Sequence, residues 1–171
     1  MKTTFRNSVI VFTVLFFHNV LYAQSSKGYI KSGLEKEKLN DYAGAIVDYT
    51  KAIEIDPKNT HAYLNRGNAR YRSNDFNGAI SDYDKVIAIH PKDINAYLNR
   101  ALAKYQLKDF KGAIADYDAI IAINPKIANA YLGRGNAKDE LKDRTGACAD
   151  WNKAAELGEK NASETIKHLC K

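Results

Sequence analysis

His61-Ala62-Tyr63-Leu64-Asn65-Arg66, Asn95-Ala96-Tyr97-Leu98-Asn99-Arg100 and Asn129-Ala130-Tyr131-Leu132-Gly133-Arg134 are three copies of one phrase, each 34 residues after the last. One period earlier, Lys27-Gly28-Tyr29 keeps the Tyr. A second phrase keeps the same step: Asp41-Tyr42-Ala43-Gly44-Ala45-Ile46, Asp75-Phe76-Asn77-Gly78-Ala79-Ile80 and Asp109-Phe110-Lys111-Gly112-Ala113-Ile114, with Asp143-Arg144-Thr145-Gly146-Ala147-Cys148 as a worn fourth copy. Pro57, Pro91 and Pro125, the only three prolines, also lie one period apart. Self-similarity at this period marks a stack of identical structural units.

Each unit contains two segments of about 13 residues with apolar side chains at helical spacing. Asp41, Asp75, Asp109 and Asp143 stand where the second helix of each unit should begin, as N-caps. The prolines end that helix and start the turn to the next unit. Small residues recur at the waist of the first helix, at Gly33, Gly67, Ala101 and Gly135. They are expected to face the alanines of the second helix, at Ala45, Ala79, Ala113 and Ala147, so that the two backbones approach closely. The aromatic place of the second helix holds Tyr49, Tyr83, Tyr117 and Trp151.

With these residues in phase, residues 27–161 resemble the tetratricopeptide repeat family, which keeps an aromatic, a small residue, Ala, an aromatic, Ala and Pro at fixed places. The resemblance implies an all-α fold: a right-handed α-solenoid of four helical hairpins (about 27–60, 61–94, 95–128 and 129–161) closed by a C-terminal capping helix over 162–171. One hairpin cannot bury its apolar face alone, so the units must stack. The fourth is atypical, as a terminal unit should be: it lacks the Pro and carries Arg144 where the others have Tyr42, Phe76 and Phe110.

Residues 1–23 read as a signal peptide preceding a domain over 24–171. Lys2 and Arg6 make a basic start, Ser8 to Val20 is mostly apolar, and Ala23 offers a cleavage site before Gln24. Leu21 at the −3 place is less usual than Ala or Val. A retained anchor is the competing reading, but the apolar run is interrupted by His18 and Asn19 and falls short of the roughly 20 residues a spanning helix needs. Cleavage would leave no stable membrane span. The leader's Tyr-Ala-Gln ending and the last unit's Cys-Ala-Asp-Trp are similar to small exported bacterial repeat proteins, which implies a periplasmic or secreted location.

The formal charge of +6 falls to +4 once the leader's two basic residues are gone. So modest an excess, interleaved with acids, does not point to a nucleic-acid partner. No GxSxG, HExxH, P-loop or dinucleotide-binding motif occurs. The sequence therefore implies no enzyme and no cofactor. Cys148 and Cys170 are the only cysteines: either they form a disulfide pinning the cap or they are two small buried residues. A metal-binding or enzymatic accessory role using Cys148, His168 and Cys170 is the alternative, without a fourth ligand or CxxC spacing. Arg66, Arg100 and Arg134 recur in phase with Asp48, Asp82, Asp116 and Asp150. Unit one has Ser32 in the Arg place, so the expected pairs run between units: Asp48–Arg66, Asp82–Arg100 and Asp116–Arg134, with Asp150–His168 at the cap.

The resemblance further implies a non-enzymatic scaffold that binds a protein or extended peptide in a groove lined by the first helices. The family's contact places fall on Leu64, Asn65, Asn68, Tyr71 and Arg72 in unit two, on Leu98, Asn99, Leu102 and Tyr105 in unit three, and on Leu132 and Asn136 in unit four. Leu64, Leu98, Leu132, Tyr71 and Tyr105 are large apolar groups on a face expected to be open. Asn68 and Asn99 match two places of the carboxylate clamp of some family members. Leu64, Asn129 and Gly133 stand where its basic residues would be wanted, which disfavours an acidic tail as ligand. Charge runs from basic at Lys27, Lys31 and Lys38 to acidic at Asp139-Glu140, suiting a segment of mixed charge.

Overall fold

A computed structural model describes residues 25–170; the proposed leader lies outside the described residues. Among them are nine α-helices and no strand. They are α1 (Ser26–Lys38), α2 (Tyr42–Ile55), α3 (Thr60–Arg72), α4 (Phe76–Ile89), α5 (Ile94–Gln106), α6 (Phe110–Ile123), α7 (Ala128–Glu140), α8 (Arg144–Glu156) and α9 (Lys160–Leu169). Each helix packs chiefly on its neighbours in the chain. No described helix is long and apolar enough to cross a membrane.

The local chemistry explains the breaks. Asp41, Asp75, Asp109 and Asp143 cap α2, α4, α6 and α8, each side chain accepting from the backbone N–H of the glycine three residues on. A Cβ on Gly78 would stand 2.0 Å from the Asp75 carboxylate, so the Asp-x-x-Gly phrase is a cap with its own clearance. One residue before each of these Asp caps, the chain turns through the left-handed region at Asn40, Asn74, Lys108 and Lys142. Asn tolerates that conformation better than Lys does. The other turns hold Pro57, Pro91 and Pro125, just past the ends of α2, α4 and α6. The last such turn has no Pro and is made by Gly158 at φ 96°. It is one residue shorter and α8 is one residue shorter than α2, α4 and α6, so α9 starts 32 residues after α7 rather than 34.

The core is a string of small clusters, each joining two or three successive helices. Its largest fully buried side chains are Trp151, Tyr49, Tyr83 and Tyr117. The expectation about the waist residues needs correction. A Cβ on Gly33, Gly67 or Gly135 would meet the ring of Tyr49, Tyr83 or Trp151 at 2.5, 2.6 and 2.7 Å. The small residues therefore make room chiefly for the aromatic of the second helix, while Gly135 also approaches the Ala147 carbonyl, 3.2 Å from where its Cβ would stand, and Ala101 shares a cluster with Ala113.

Cys148 and Cys170 are joined in a disulfide that ties α9 to α8. His168 is exposed nearby. The bridge closes a span of 22 residues, for which chain entropy gives about 3 kcal/mol. Reduction with dithiothreitol is expected to speed amide exchange in α9 first, leaving α1–α7 protected. Uniform loss of protection along the chain would contradict this.

Candidate binding groove

The ion pairs that hold the hairpins decide which side chains remain available for a ligand. The expected inter-unit pairs do not form. Arg66 instead binds Asp82 of its own hairpin, with Nη2 at 2.7 Å and Nε at 3.0 Å. Arg100 binds Asp116 and Arg134 binds Asp150 in the same way, each at 2.5 Å. A second cation joins each carboxylate: Arg70 at 2.8 Å, Lys104 at 2.9 Å and Lys138 at 2.8 Å. In unit one, Lys36 and Ser32 hold Asp48 at 2.7 and 2.6 Å. Burial alone would raise the Asp48 carboxyl, but these two partners outweigh it and hold it below its usual range. His168 does not reach Asp150, whose partners are Arg134 and Lys138.

The reason is symmetry about the turn. Arg66 and Asp82 are equidistant from Asn74, where the hairpin reverses, so they lie level with each other on antiparallel helices. The same rule reaches backward through the proline turn. The Nη1 of Arg66 donates to Thr50, and Arg100 and Arg134 pair with Asp84 at 2.5 Å and Asp118 at 2.6 Å. Each arginine thus bonds 16 residues in both directions, and the inter-unit acid stands two residues beyond the one expected. Each guanidinium also lies over the Tyr three residues before it, Tyr63, Tyr97 or Tyr131. Burial opposes the charge on Arg100, yet Asp116 and Asp84 outweigh it and raise its pKa.

With these cations committed, two adjoining cavities open beside the first helices. One, of about 600 Å³, is lined by Glu37, Asn40, Tyr42, Asn68, Tyr71, Arg72, Tyr83, Asn99 and Leu102. The other, of about 320 Å³, is lined by Leu98, Leu102, Tyr105, Tyr117, Asn129, Leu132, Gly133 and Asn136. Leu102 is their common wall. Of the residues expected in the groove, nine line one cavity or the other. Leu64 and Asn65 line neither; Leu64 packs on the Ala79–Tyr83–Ala103 cluster. Leu98, Leu132, Tyr71 and Tyr105 are half-buried against core residues rather than open. The exposed leucines of the first helices are Leu34 and Leu102.

In the larger cavity, Asn68 Oδ1 accepts from the Tyr83 hydroxyl and from Asn99 Nδ2, both at 2.9 Å. Among the described residues nothing takes the Asn68 amide hydrogens or bonds Asn99 Oδ1. A donor and an acceptor from one pair of amides are therefore left at the cavity wall. Burial raises the Tyr83 hydroxyl well above its ordinary range, so it stays a neutral donor. Burial also raises the Glu37 carboxyl, against the lowering pull of Tyr49 and Arg72. Sequence reasoning missed Glu37, although it stands one period before Tyr71 and two before Tyr105 and breaks their pattern.

Across the groove, rungs link residues 35 apart: Gln106 Nε2 donates to the Tyr71 hydroxyl at 3.3 Å, and the Tyr105 hydroxyl donates to Glu140 at 3.2 Å. At the same spacing, Arg72 acts on Glu37. Among the described residues no cluster of His, Cys, Asp or Glu could hold a metal ion.

Helical pairs stacked at a 34-residue step are matched by residues 33–74 and 67–108, which fit the family described as TPR repeat, and by residues 94–127, which fit the tetratricopeptide repeat. The chain is a tetratricopeptide repeat protein. Among solved TPR structures, MamA superposes with a TM-score of 0.77 at 26% identity, over 86% of this chain and 87% of that one. The first TPR of Spaghetti (RPAP3), bound to the HSP90 peptide SRMEEVD, gives 0.66 at 27% identity over 70% of this chain and 95% of that one. A tetratricopeptide repeat protein from Parabacteroides merdae gives 0.74 at 25% identity, covering 80% of this TPR chain and 55% of its own. None of the curated proteins matches the chain.

Proposed function

We propose that this TPR protein is a non-enzymatic scaffold of the bacterial cell envelope that grips an extended protein segment in its groove. On this reading residues 1–23 are removed on export, and residues 24–171 form a right-handed superhelix of four repeats and a cap, periplasmic or secreted. The observation that carries the binding role is the Asn68–Asn99 amide pair. It presents one donor and one acceptor at the wall of a cavity, the combination that an extended peptide backbone can satisfy at a single residue. A TPR neighbour that holds a heptapeptide, the first TPR of Spaghetti (RPAP3), supports the same mode. That peptide is acidic, whereas Leu64, Asn129 and Gly133 stand here where clamp cations would be wanted, so an acidic tail is not the ligand proposed. The disulfide suits an oxidising compartment. It also takes up both thiols that a metal site or an enzymatic accessory role would need.

Export and binding can be read in one experiment. Protein recovered from the periplasm is expected to have an intact mass beginning near Gln24. When immobilised, it should retain a partner from envelope extract with about tenfold higher affinity than Asn99→Ala, one amide hydrogen-bond pair being worth about 1 kcal/mol or slightly more. Retention of the leader would sink the exported reading, and equal capture by the variant would sink the amide grip.

A further inference from the structure

The smaller cavity exists because the repeat pattern fails at two places. Asn68 and Asn136 are 68 residues apart, and the position midway between them is Leu102. Asn65 and Asn99 are followed one period later by Gly133. In units two and four, the asparagine bonds the aromatic of the second helix: Tyr83 to Asn68 and Trp151 Nε1 to Asn136, each at 2.9 Å. In unit three Leu102 offers no such acceptor, and the Tyr117 ring faces a groove wall that has lost its amide. Gly133 then lets the hydroxyl end of that ring close in on its backbone. A Cβ there would stand 2.4 Å from Tyr117 Cζ and 2.5 Å from its hydroxyl oxygen. Both departures act at one spot, replacing two amides with one leucine and with room that the Tyr117 ring takes up. The walls that remain are predominantly apolar, and a volume of about 320 Å³ lies at the lower end of ligand pockets.

A charge stands at the rim. Tyr105 lines this cavity and donates to Glu140, which has no cationic partner within ion-pair distance among the described residues. Its neighbour Asp139 is engaged by Arg144 at 3.1 Å. Acidity at this end of the groove therefore rests chiefly on Glu140, exposed to solvent and free to meet a cation. The opposite end carries Lys27, Lys31 and Lys38, all exposed.

We infer that the Tyr117–Gly133 cavity is a specificity subsite for one large apolar side chain, aromatic or leucine-like, of an extended peptide that carries a lysine or arginine within about three residues on the Glu140 side. This rests on the groove reading above and adds the identity of the anchor to it. The amide pair at Asn68 and Asn99 grips backbone without regard to sequence, while the cavity selects. The two cavities share Leu102, and neighbouring helices lie about 10 Å apart. An extended chain covers that distance in about three residues, so backbone grip and anchor can be engaged by one short segment.

The molecule supplies its own control. Leu102→Asn with Gly133→Asn restores residues that the repeat already uses at 68, 136, 65 and 99, and forces the Tyr117 ring from the place it takes against Gly133. Leu102→Asn alone changes an exposed position and serves if the double variant folds poorly. The probe is a random dodecapeptide library displayed on phage, selected against the purified protein, with enriched peptides then synthesised and titrated by fluorescence anisotropy. Enriched peptides are expected to share one Phe, Trp, Leu or Met with a Lys or Arg at a fixed offset. Their Kd should rise at least tenfold on the double variant and at least threefold on Leu102→Asn. Glu140→Gln should raise Kd a few-fold and flatten its salt dependence. Enriched peptides that bind through Asn99 but share no apolar position overturn the subsite and leave the groove reading standing. Affinity unchanged by Leu102→Asn overturns the subsite as well. Absence of any enrichment overturns both.

Discussion

Replacing Asp82 with alanine is expected to destabilise the protein by about 3–5 kcal/mol. Asp82 is 1% exposed and receives both Arg66 and Arg70. Its removal leaves two guanidinium groups facing each other with no anion between them. Hydrogen bonds to buried charges are strong because water cannot replace the lost partner. Urea unfolding followed by circular dichroism measures the loss. The natural comparison is Asp84→Ala, two residues on. Asp84 pairs with Arg100 at 2.5 Å, but its side chain is about half exposed. Water and salt take up that charge, so its removal should cost less than about 1 kcal/mol. Similar losses for the two variants would show that burial does not govern these pairs.

Trp151→Ala should cost about 4 kcal/mol, and in a localised way. Large-to-small changes of a buried aromatic lose its transfer energy and leave a cavity. Trp151 is 1% exposed and packs with Tyr131, Ala147, Ala154 and Ala162, the last on α9. In a solenoid each unit is supported only by its neighbours, so the damage should stay near α7–α9. Thermal unfolding is expected to split, with an early transition that removes α8 and α9. Trypsin should then cut first after Lys153 or Lys160. The disulfide keeps the end tethered, so these cuts release little mass until it is reduced. A single lowered transition with cleavage throughout the chain would show cooperativity longer in range than this.

The fold was legible because its signals are local and repeated. Asp41, Asp75, Asp109 and Asp143 cap helices through a glycine three residues away, and both members of each cap are visible in the sequence. Two misjudgements share a cause: each depends on the height of a residue across a turn, which periodicity alone does not give. Counting whole periods pairs each arginine with an acid two residues short of its partner across the seam, Thr50, Asp84 or Asp118. The distance from each Arg to the centre of each flanking turn would have corrected this. His168 was aligned to the Arg place by counting whole periods, but the short Gly158 turn shifts α9, and Ile166 occupies that place instead. At the groove, the asparagines could be read from family-like positions. Glu37 could not, because it matters by departing from the pattern, and Gly133 reads in the sequence only as a missing cation, not as the neighbour of Tyr117. Leu64 faces the groove in a helical projection yet is claimed by the Tyr83 cluster of its own unit.

The equal reach of each arginine has a consequence for how such a chain can lengthen. Because Arg66, Arg100 and Arg134 bind 16 residues forward and 16 back, any insertion of a whole 34-residue module delivers both partners at the new seam already matched. Duplication in the gene would thus yield a joint needing no further adaptation. The seam between α8 and α9 lacks these partners. There Ile166 stands for the arginine and Asn152 for the acid, so the interlocking chemistry is missing from that seam. New modules can be accepted upstream of α8, and the last helix acts as a fixed end-plate, held by sulfur where every other seam is held by charge or a hydroxyl.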